Sequence, residues 1–346
     1  MAPNLTNLFA QLEGKSLLIT GGTGSFGKAF VRYLLANAKL KRIVVLSRDE
    51  MKQWEMAKEF ADNDTLRFFI GDVRDRQRLY RAMNGIDFVV HAAAQKIVET
   101  AEYNPFECIK TVVNGAMNVI DACIDQGVQR VVALSTDKAC NPINLYGASK
   151  LASDKLFIAS NHYSGIESTR FAVVRYGNVM GSRGSVIPFF MSIKDNGVMP
   201  ITDERMTRFM ISLQEGIGLV LHALQDTIGG EIYVNKIPSI KVTDIAKAIA
   251  PDAKLDVIGI RPGEKLHEQM IGEEDARYTY EYDWYYKILP AIYNWHVDQN
   301  RIGAGKPVPE GFQYSSDSND QWMSIDALRS WIDQNEAMLM ESMGRR

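Results

Sequence analysis

Short runs of β-branched and apolar residues alternate, along the first half of the chain, with stretches whose apolar positions recur every three to four residues. The runs at 16–20, 42–46, 66–70, 88–91, 131–134 and 172–175 predict strands. Between them, 28–38, 76–83, 116–126 and 148–160 predict helices. Strand and helix repeated at this spacing point to a mostly parallel sheet covered on both faces. The strands are apolar throughout rather than alternating, as expected when neither face meets water. The expected fold is a doubly wound α/β sheet.

After Arg175 the pattern changes. Residues 178–208 are rich in glycine, arginine and proline and show little periodicity. A predicted helix at 213–225 and strand at 231–234 return the chain to the sheet. From residue 237 short helices, such as 242–250, mix with loops and aromatic residues. The expected division is a dinucleotide-binding domain, 13–177 with 209–236, and a smaller interleaved lobe, 178–208 with 237–335. A last helix at 325–340 ends in a methionine-rich tail expected to be packed or frayed.

Composition narrows the function classes. A chain of 346 residues with 46% hydrophobic and 23% charged residues is ordinary for a globular protein. A net charge of -3 gives no bulk attraction to nucleic acid or an anionic membrane. Cys108, Cys123 and Cys140 have no metal-ligand spacing, so free thiols in a reducing compartment and no metal site are expected. The first residues lack a basic segment followed by an apolar run, and no stretch approaches the ~20 apolar residues of a membrane helix. A cytoplasmic protein is expected, in which the Asn4-Leu5-Thr6 triplet carries no glycan.

GGTGSFG, residues 21–27, directly follows the first strand and opens a helix. Gly21, Gly24 and Gly27 allow a tight turn, and their missing side chains let a pyrophosphate approach the helix N-terminus. In this context the pattern predicts a Rossmann-type dinucleotide site, with Ser25 and Phe26 in the same turn. The end of the second strand selects the cofactor. A carboxylate there suits the ribose diol of NAD, and a cation suits the extra phosphate of NADP. Here Leu46-Ser47 is followed by Arg48, with Lys52 nearby, so NADP is expected. Asp49 also lies at this end and is expected to cap the next helix. Asp72, before Val73, can accept from the adenine amine, and the small residues after His91, beginning with Ala92, let the cofactor pass. His91 itself reads as structural.

The stretch LSTDKACNPINLYGASK, residues 134–150, carries the chemistry. Tyr146 and Lys150 lie one helical turn apart. A tyrosine titrating near ~10 is a poor base at neutral pH, and a nearby ammonium lowers that value. Asp137 and Lys138 precede them with no task in simple hydride transfer. Strand neighbours point to opposite faces, so the backbone must turn at this pair for both to reach one substrate.

With GGTGSFG, AEYNPFECIKT, RFAVVRYGNVMGSRGSVIPFF, ITDERMTRF and IGIRPGEKLHE, this stretch resembles the extended short-chain dehydrogenases/reductases. Within them it is similar to the inverting UDP-N-acetylglucosamine 4,6-dehydratases of pseudaminic acid synthesis, over roughly residues 13 to 333. The resemblance implies transient oxidation at sugar C-4 by NADP, loss of water across C-5 and C-6, and hydride return to C-6. It implies Tyr146 acting at the C-4 hydroxyl with Thr136 bonded to it, Lys138 as base at C-5, and Asp137 as acid at C-6. It adds Lys96, Asn114, Tyr146, Lys150 and Val179 as cofactor contacts. For UDP-N-acetylglucosamine it adds Lys96, Asn178, Ser185, Val186, Arg205, Arg208, Arg261 and Glu264. Arginine forks match the oxygens of a diphosphate. A homo-oligomer is implied as well. The chain departs from the family pattern at residues 94–99, where Lys96 is kept while its neighbours and the usual proline differ. That loop borders the site and bears on substrate preference and stereochemistry. Tyr146 sets the chain apart from membrane-bound and capsule-type relatives, which commonly carry methionine there.

A general acid must hold a proton and an amine base must lack one. Asp137 and Lys138 are therefore expected to act as one coupled unit in a dry site.

Overall fold

A computed structural model describes residues 6–61, 63–165 and 169–344, so Asn4 and Leu5 of the glycosylation-like triplet lie outside the described residues. The six predicted strands form as β1 (Ser16–Thr20), β2 (Arg42–Ser47), β3 (Leu66–Ile70), β4 (Phe88–His91), β5 (Arg130–Leu134) and β6 (Arg170–Arg175). They pair in parallel in the spatial order β3-β2-β1-β4-β5-β6. In β1 every residue is buried, which explains the unbroken apolar run at its centre, Leu17 to Ile19. At the edge, β3 exposes Arg67 and Ile70 and so departs from the fully buried pattern.

The strand Ile232–Asn235 continues the parallel sheet beside β6. Beyond it, Tyr285–Ile288, Thr279–Glu281 and Lys306–Pro307 add antiparallel partners, giving ten strands among the described residues. These three strands come from a segment grouped by sequence with the smaller lobe. Tyr285, Tyr286 and Ile288 pack on the same apolar core as the parallel strands. A second core gathers Met180, Ile187, Phe190, Met199, Met210, Ile245, Leu328 and Leu339 around the helices Val186–Ile193 and Val242–Ile249.

Two local features differ from the sequence pattern. The last predicted helix is two helices, Ile325–Gln334 and Glu336–Ser342, broken at Asn335, whose amide donates back to Trp331 O at 2.8 Å. The tail is packed rather than frayed, since Leu339 is fully buried. A π-helical turn, Lys110–Asn114, interrupts the helical run before Gly115–Asp125. All three cysteines are free and buried. Among the described residues no helix is long and apolar enough to cross a membrane, and no group of acidic, histidine and cysteine side chains could hold a metal.

Candidate active site

The order of strands reverses direction between β1 and β4, and loops at their carboxyl ends part there to leave a crevice. Gly21 leaves β1 with φ of +66°, and a Cβ on it would stand 2.9 Å from the Ala93 backbone. A Cβ on Gly27 would meet Gly22 O at 2.4 Å. Only glycine fits either place. The helix Ser25–Asn37 begins here with Gly24 as its N-cap and no side chain bonded to its first N–H groups. Those donors and the helix dipole suit a phosphate.

The cleft is about 2650 Å³, ample for a dinucleotide and a second nucleotide together. Gly21, Gly24, Ser25, Phe26 and Gly27 line it, as do Arg48, Asp49, Lys52, Asp72, Val73 and Ala92. Arg48 is half exposed, 3.7 Å from Asp72. Asp49 accepts from Lys52 N at 3.0 Å, the expected N-cap, and the Lys52 ammonium, 2.8 Å from its Oδ2, with this backbone bond lowers its pKa. Burial pushes the Asp72 carboxyl up, but hydrogen bonds from Arg74 outweigh it and hold the pKa below the ordinary value. His91 is buried and shares a hydrogen bond with Thr20 Oγ1 at 2.8 Å, a structural role.

The reactive centre is built where β5 ends. Thr136 caps a short 3-10 turn, Asp137–Ala139, by accepting from Lys138 N. This turn supplies the bend that two neighbouring residues need to address one ligand. Asp137 is wholly buried. Its Oδ1 accepts from Thr136 Oγ1 at 2.9 Å and from Lys138 Nζ at 3.1 Å, while its Oδ2 is buried with no partner. The helix Leu145–Ala159 packs tightly on the turn, for a Cβ on Gly147 would stand 2.2 Å from Lys138 O. Its first turn brings Tyr146 to the same place.

Electrostatics around these groups depart from the expected pair. Lys138 Nζ also lies 3.1 Å from Glu268 Oε1, and Arg208 Nε stands 3.9 Å from the same oxygen. Burial pulls the Lys138 ammonium down, yet Asp137 and Glu268 more than offset it and hold its pKa above the usual lysine value. Burial pushes the Tyr146 phenol up to about 12, against the pull of Lys138 and a hydrogen bond with Thr136. Lys138 thus places a second ammonium near Tyr146, besides the one that helical spacing expects from Lys150. Lys150 donates to Leu134 O, and burial lowers its pKa against the opposing charge of Asp154.

Lys96, Asn178, Val179, Ser185, Val186, Arg208, Arg261 and Glu264 line the same cleft. Lys96 Nζ donates to Arg183 O at 2.7 Å and burial lowers its pKa. Arg261 pairs with Glu264 and, at 3.1 Å, with Glu99 of the divergent loop. Asn178 Oδ1 and Ser185 Oγ are buried and unpaired, so polar ligand groups would satisfy both. Two expected contacts stand elsewhere. Arg205 is 73% exposed, held by Asp203 at 2.8 Å outside the cleft. Asn114 is exposed at the end of the π-helical turn, and Thr111 of that turn lines the cleft with an unpaired hydroxyl.

Glu268 closes the IGIRPGEKLHE motif that also carries Arg261 and Glu264, but it was given no role there, since only tertiary folding returns it to Lys138. Thr111 was hidden because a wide turn inside a helical pattern leaves no mark in periodicity.

The model of the polysaccharide biosynthesis protein family matches residues 17–290. The chain belongs to this family, among the extended short-chain dehydrogenases/reductases. It is 55% identical to the inverting UDP-N-acetylglucosamine 4,6-dehydratase of Campylobacter jejuni, over 94% of this chain and 99% of that one. It is 44% identical to a UDP-glucose 4-epimerase of Rickettsia prowazekii, over 79% of this chain and 82% of the relative. Among solved structures, Pen from Bacillus thuringiensis superposes with a TM-score of 0.86 at 36% identity, covering 94% of this chain and 98% of its own. A Rossmann-type fold common to the family's dehydratases and epimerases agrees with the sheet order described above.

Proposed function

We propose that this protein is an NADP-dependent UDP-N-acetylglucosamine 4,6-dehydratase that inverts C-5. The observation that carries the reading is the convergence of Asp137, Lys138 and Tyr146 in one cleft beside an uncapped, glycine-opened helix. The 55%-identical relative supports it.

The glycine loop would hold the cofactor pyrophosphate, Asp72 the adenine, and Arg48 with Lys52 the 2′-phosphate. Bound there, NADP would take hydride from C-4 of the sugar and return it to C-6. Tyr146, bonded to Thr136, takes the proton of the C-4 hydroxyl, and the positive nicotinamide ring of bound cofactor would favour the phenolate this requires. A ketone at C-4 acidifies the C-5 hydrogen, which passes to Lys138. Asp137 protonates the C-6 oxygen from Oδ2, its unpaired atom, so that oxygen leaves as water. Lys96, Asn178, Ser185 and Val186 would hold the sugar, with Arg208, Arg261 and Glu264 at the diphosphate and uridine. Return of a proton to C-5 on the opposite face gives an L-configured 4-keto-6-deoxy sugar.

In this reading residues 13–177 with 209–236 bind the cofactor, and 178–208 with 237–335 bind the sugar nucleotide. The enzyme works in the cytosol as a homo-oligomer, supplying a pseudaminic acid route.

The test is proton NMR of the protein with UDP-N-acetylglucosamine in D2O, without added cofactor. A new 6-methyl signal, deuterium at C-5 and couplings of an L-sugar are expected. A methyl signal with D-configuration would move the stereochemistry to the retaining class.

The epimerase relative favours a second reading, a 4-epimerase on a UDP-sugar. That reaction needs Tyr146, Lys150 and Thr136 and leaves Asp137 and Lys138 without a role. It expects a C-4 epimer and no methyl signal.

A further inference from the structure

We propose that Glu268 is a positioning residue for Lys138: its carboxylate fixes the amine and stabilises the ammonium formed when the C-5 proton arrives. This rests on the dehydratase reading and adds a residue to it. Glu268 is 2% exposed, with Oε1 3.1 Å from Lys138 Nζ and Oε2 buried without a partner. Its backbone is pinned on both sides. The Glu268 N–H donates to Ser316 Oγ at 2.9 Å, and Glu268 O accepts from Ser316 N at 2.8 Å. Ser316 is wholly buried, so the backbone that carries the Glu268 side chain is fixed in place.

The proton balance of elimination explains what a second carboxylate does here. The step starts once the Lys138 ammonium has passed a proton to Asp137 across their 3.1 Å contact, which leaves a neutral amine beside a protonated carboxyl with no change in net charge. The C-5 proton then moves to Nζ, and the electron pair left behind forms the C-5–C-6 π bond. The C-6–O bond breaks as the Asp137 proton reaches that oxygen, and water departs. Lys138 ends as an ammonium and Asp137 as a carboxylate. The other charged groups facing Lys138 are Glu268 and Arg208, with the Tyr146 phenol nearby. Arg208 balances Glu268 beforehand, and Glu268 then meets the new ammonium in a site where charges interact strongly. A polar recess of about 100 Å³, lined by Lys138, Asn178, Arg208 and Glu268, adjoins the amine. It has space for a few water molecules, and so a path for solvent protons.

The experiment compares wild type, E268Q and E268D for deuterium entry at C-5 of UDP-N-acetylglucosamine in D2O. KM and thermal melting are measured alongside. E268Q is expected to slow C-5 exchange roughly 100-fold, in the range of one general-base contribution, while KM changes by less than about 3-fold. E268D, which keeps the charge, is expected to recover most of the rate. Wild-type exchange in E268Q would overturn the proposal. So would E268D as slow as E268Q with KM raised or melting lowered in both, since that marks packing damage. If wild type itself yields no 6-methyl product, the dehydratase reading fails, and the two failures are separate.

Discussion

Lys138 Nζ lies 3.1 Å from Asp137 Oδ1, although adjacent residues in extended backbone would point apart. The 3-10 turn after β5 produces this approach and sets both groups beside Tyr146. Replacing Lys138 by alanine removes the proposed C-5 base, together with the charge it places near Tyr146. K138A is expected to lose dehydration by about 1,000-fold, read as the rate of the 6-methyl NMR signal. An epimerase has no C-5 step and would still form a C-4 epimer in this variant, slowed only as far as Tyr146 depends on the Lys138 charge. A C-4 epimer with no methyl signal from either protein would decide against the dehydratase.

Arg48 stands at the rim of the cleft, half exposed, where the end of β2 meets the cofactor ribose in folds of this kind. An arginine on a phosphate contributes about 1.5–3 kcal/mol as a charged hydrogen bond. R48A is therefore expected to weaken NADP binding roughly 10- to 100-fold and to change NAD binding little, measured by calorimetry on cofactor-stripped protein. Equal weakening of both cofactors would show that Arg48 does not read the 2′-phosphate.

The sheet was legible because strands buried on both faces must be largely apolar, and β1 and β4 begin and end where that pattern does. The glycine loop was legible for the same kind of reason, since backbone approach at Gly21 and Gly27 tolerates no side chain. The segment 178–208 was not. Its helix Val186–Ile193 is apolar nearly all round, so it lacks a polar face to mark its period. Glu268 belongs to the centre only through tertiary folding, and no local pattern encodes that return. Asn335 interrupts a continuous helical pattern through its own side chain, a local competition with the backbone that periodicity does not register.

His91 is buried beside Thr20 and Phe157, and burial, with the nearby Lys150 charge, takes its pKa from 6.5 to about 3. Its folded pKa is depressed, so the unfolded chain binds a proton on this residue that the folded chain refuses. The contribution is present above pH 6.5 and is lost as pH falls from there toward about 3. Substitution H91Q removes that titration. The fall in unfolding free energy between pH 7 and pH 5 is expected to be smaller in H91Q than in wild type, by urea titration at each pH. Parallel pH dependence would show that His91 does not couple folding to protons.

Gly181 turns with φ of +70° just after the strand Asn178–Val179, and the last helix lies over it. A Cβ at this position would stand 2.8 Å from Met338 Cε, 2.9 Å from Leu339 Cδ2 and 3.2 Å from Trp331 Cη2. The cost of G181A has two sources that can be separated. Left-handed backbone at a residue with a Cβ costs about 1–2 kcal/mol whatever its surroundings. The clash adds to this, and Met338 can relieve its share because its terminal methyl is flexible. G181A is expected to lower stability by about 2–3 kcal/mol, and G181A/M338A to recover less than half of that relative to M338A alone. The same turn leads into Ser182, Arg183 and Ser185 at the cleft, so loosening it is expected to raise KM before it lowers kcat. Full recovery in the double variant would place the whole cost in the contact with Met338 and none in the backbone.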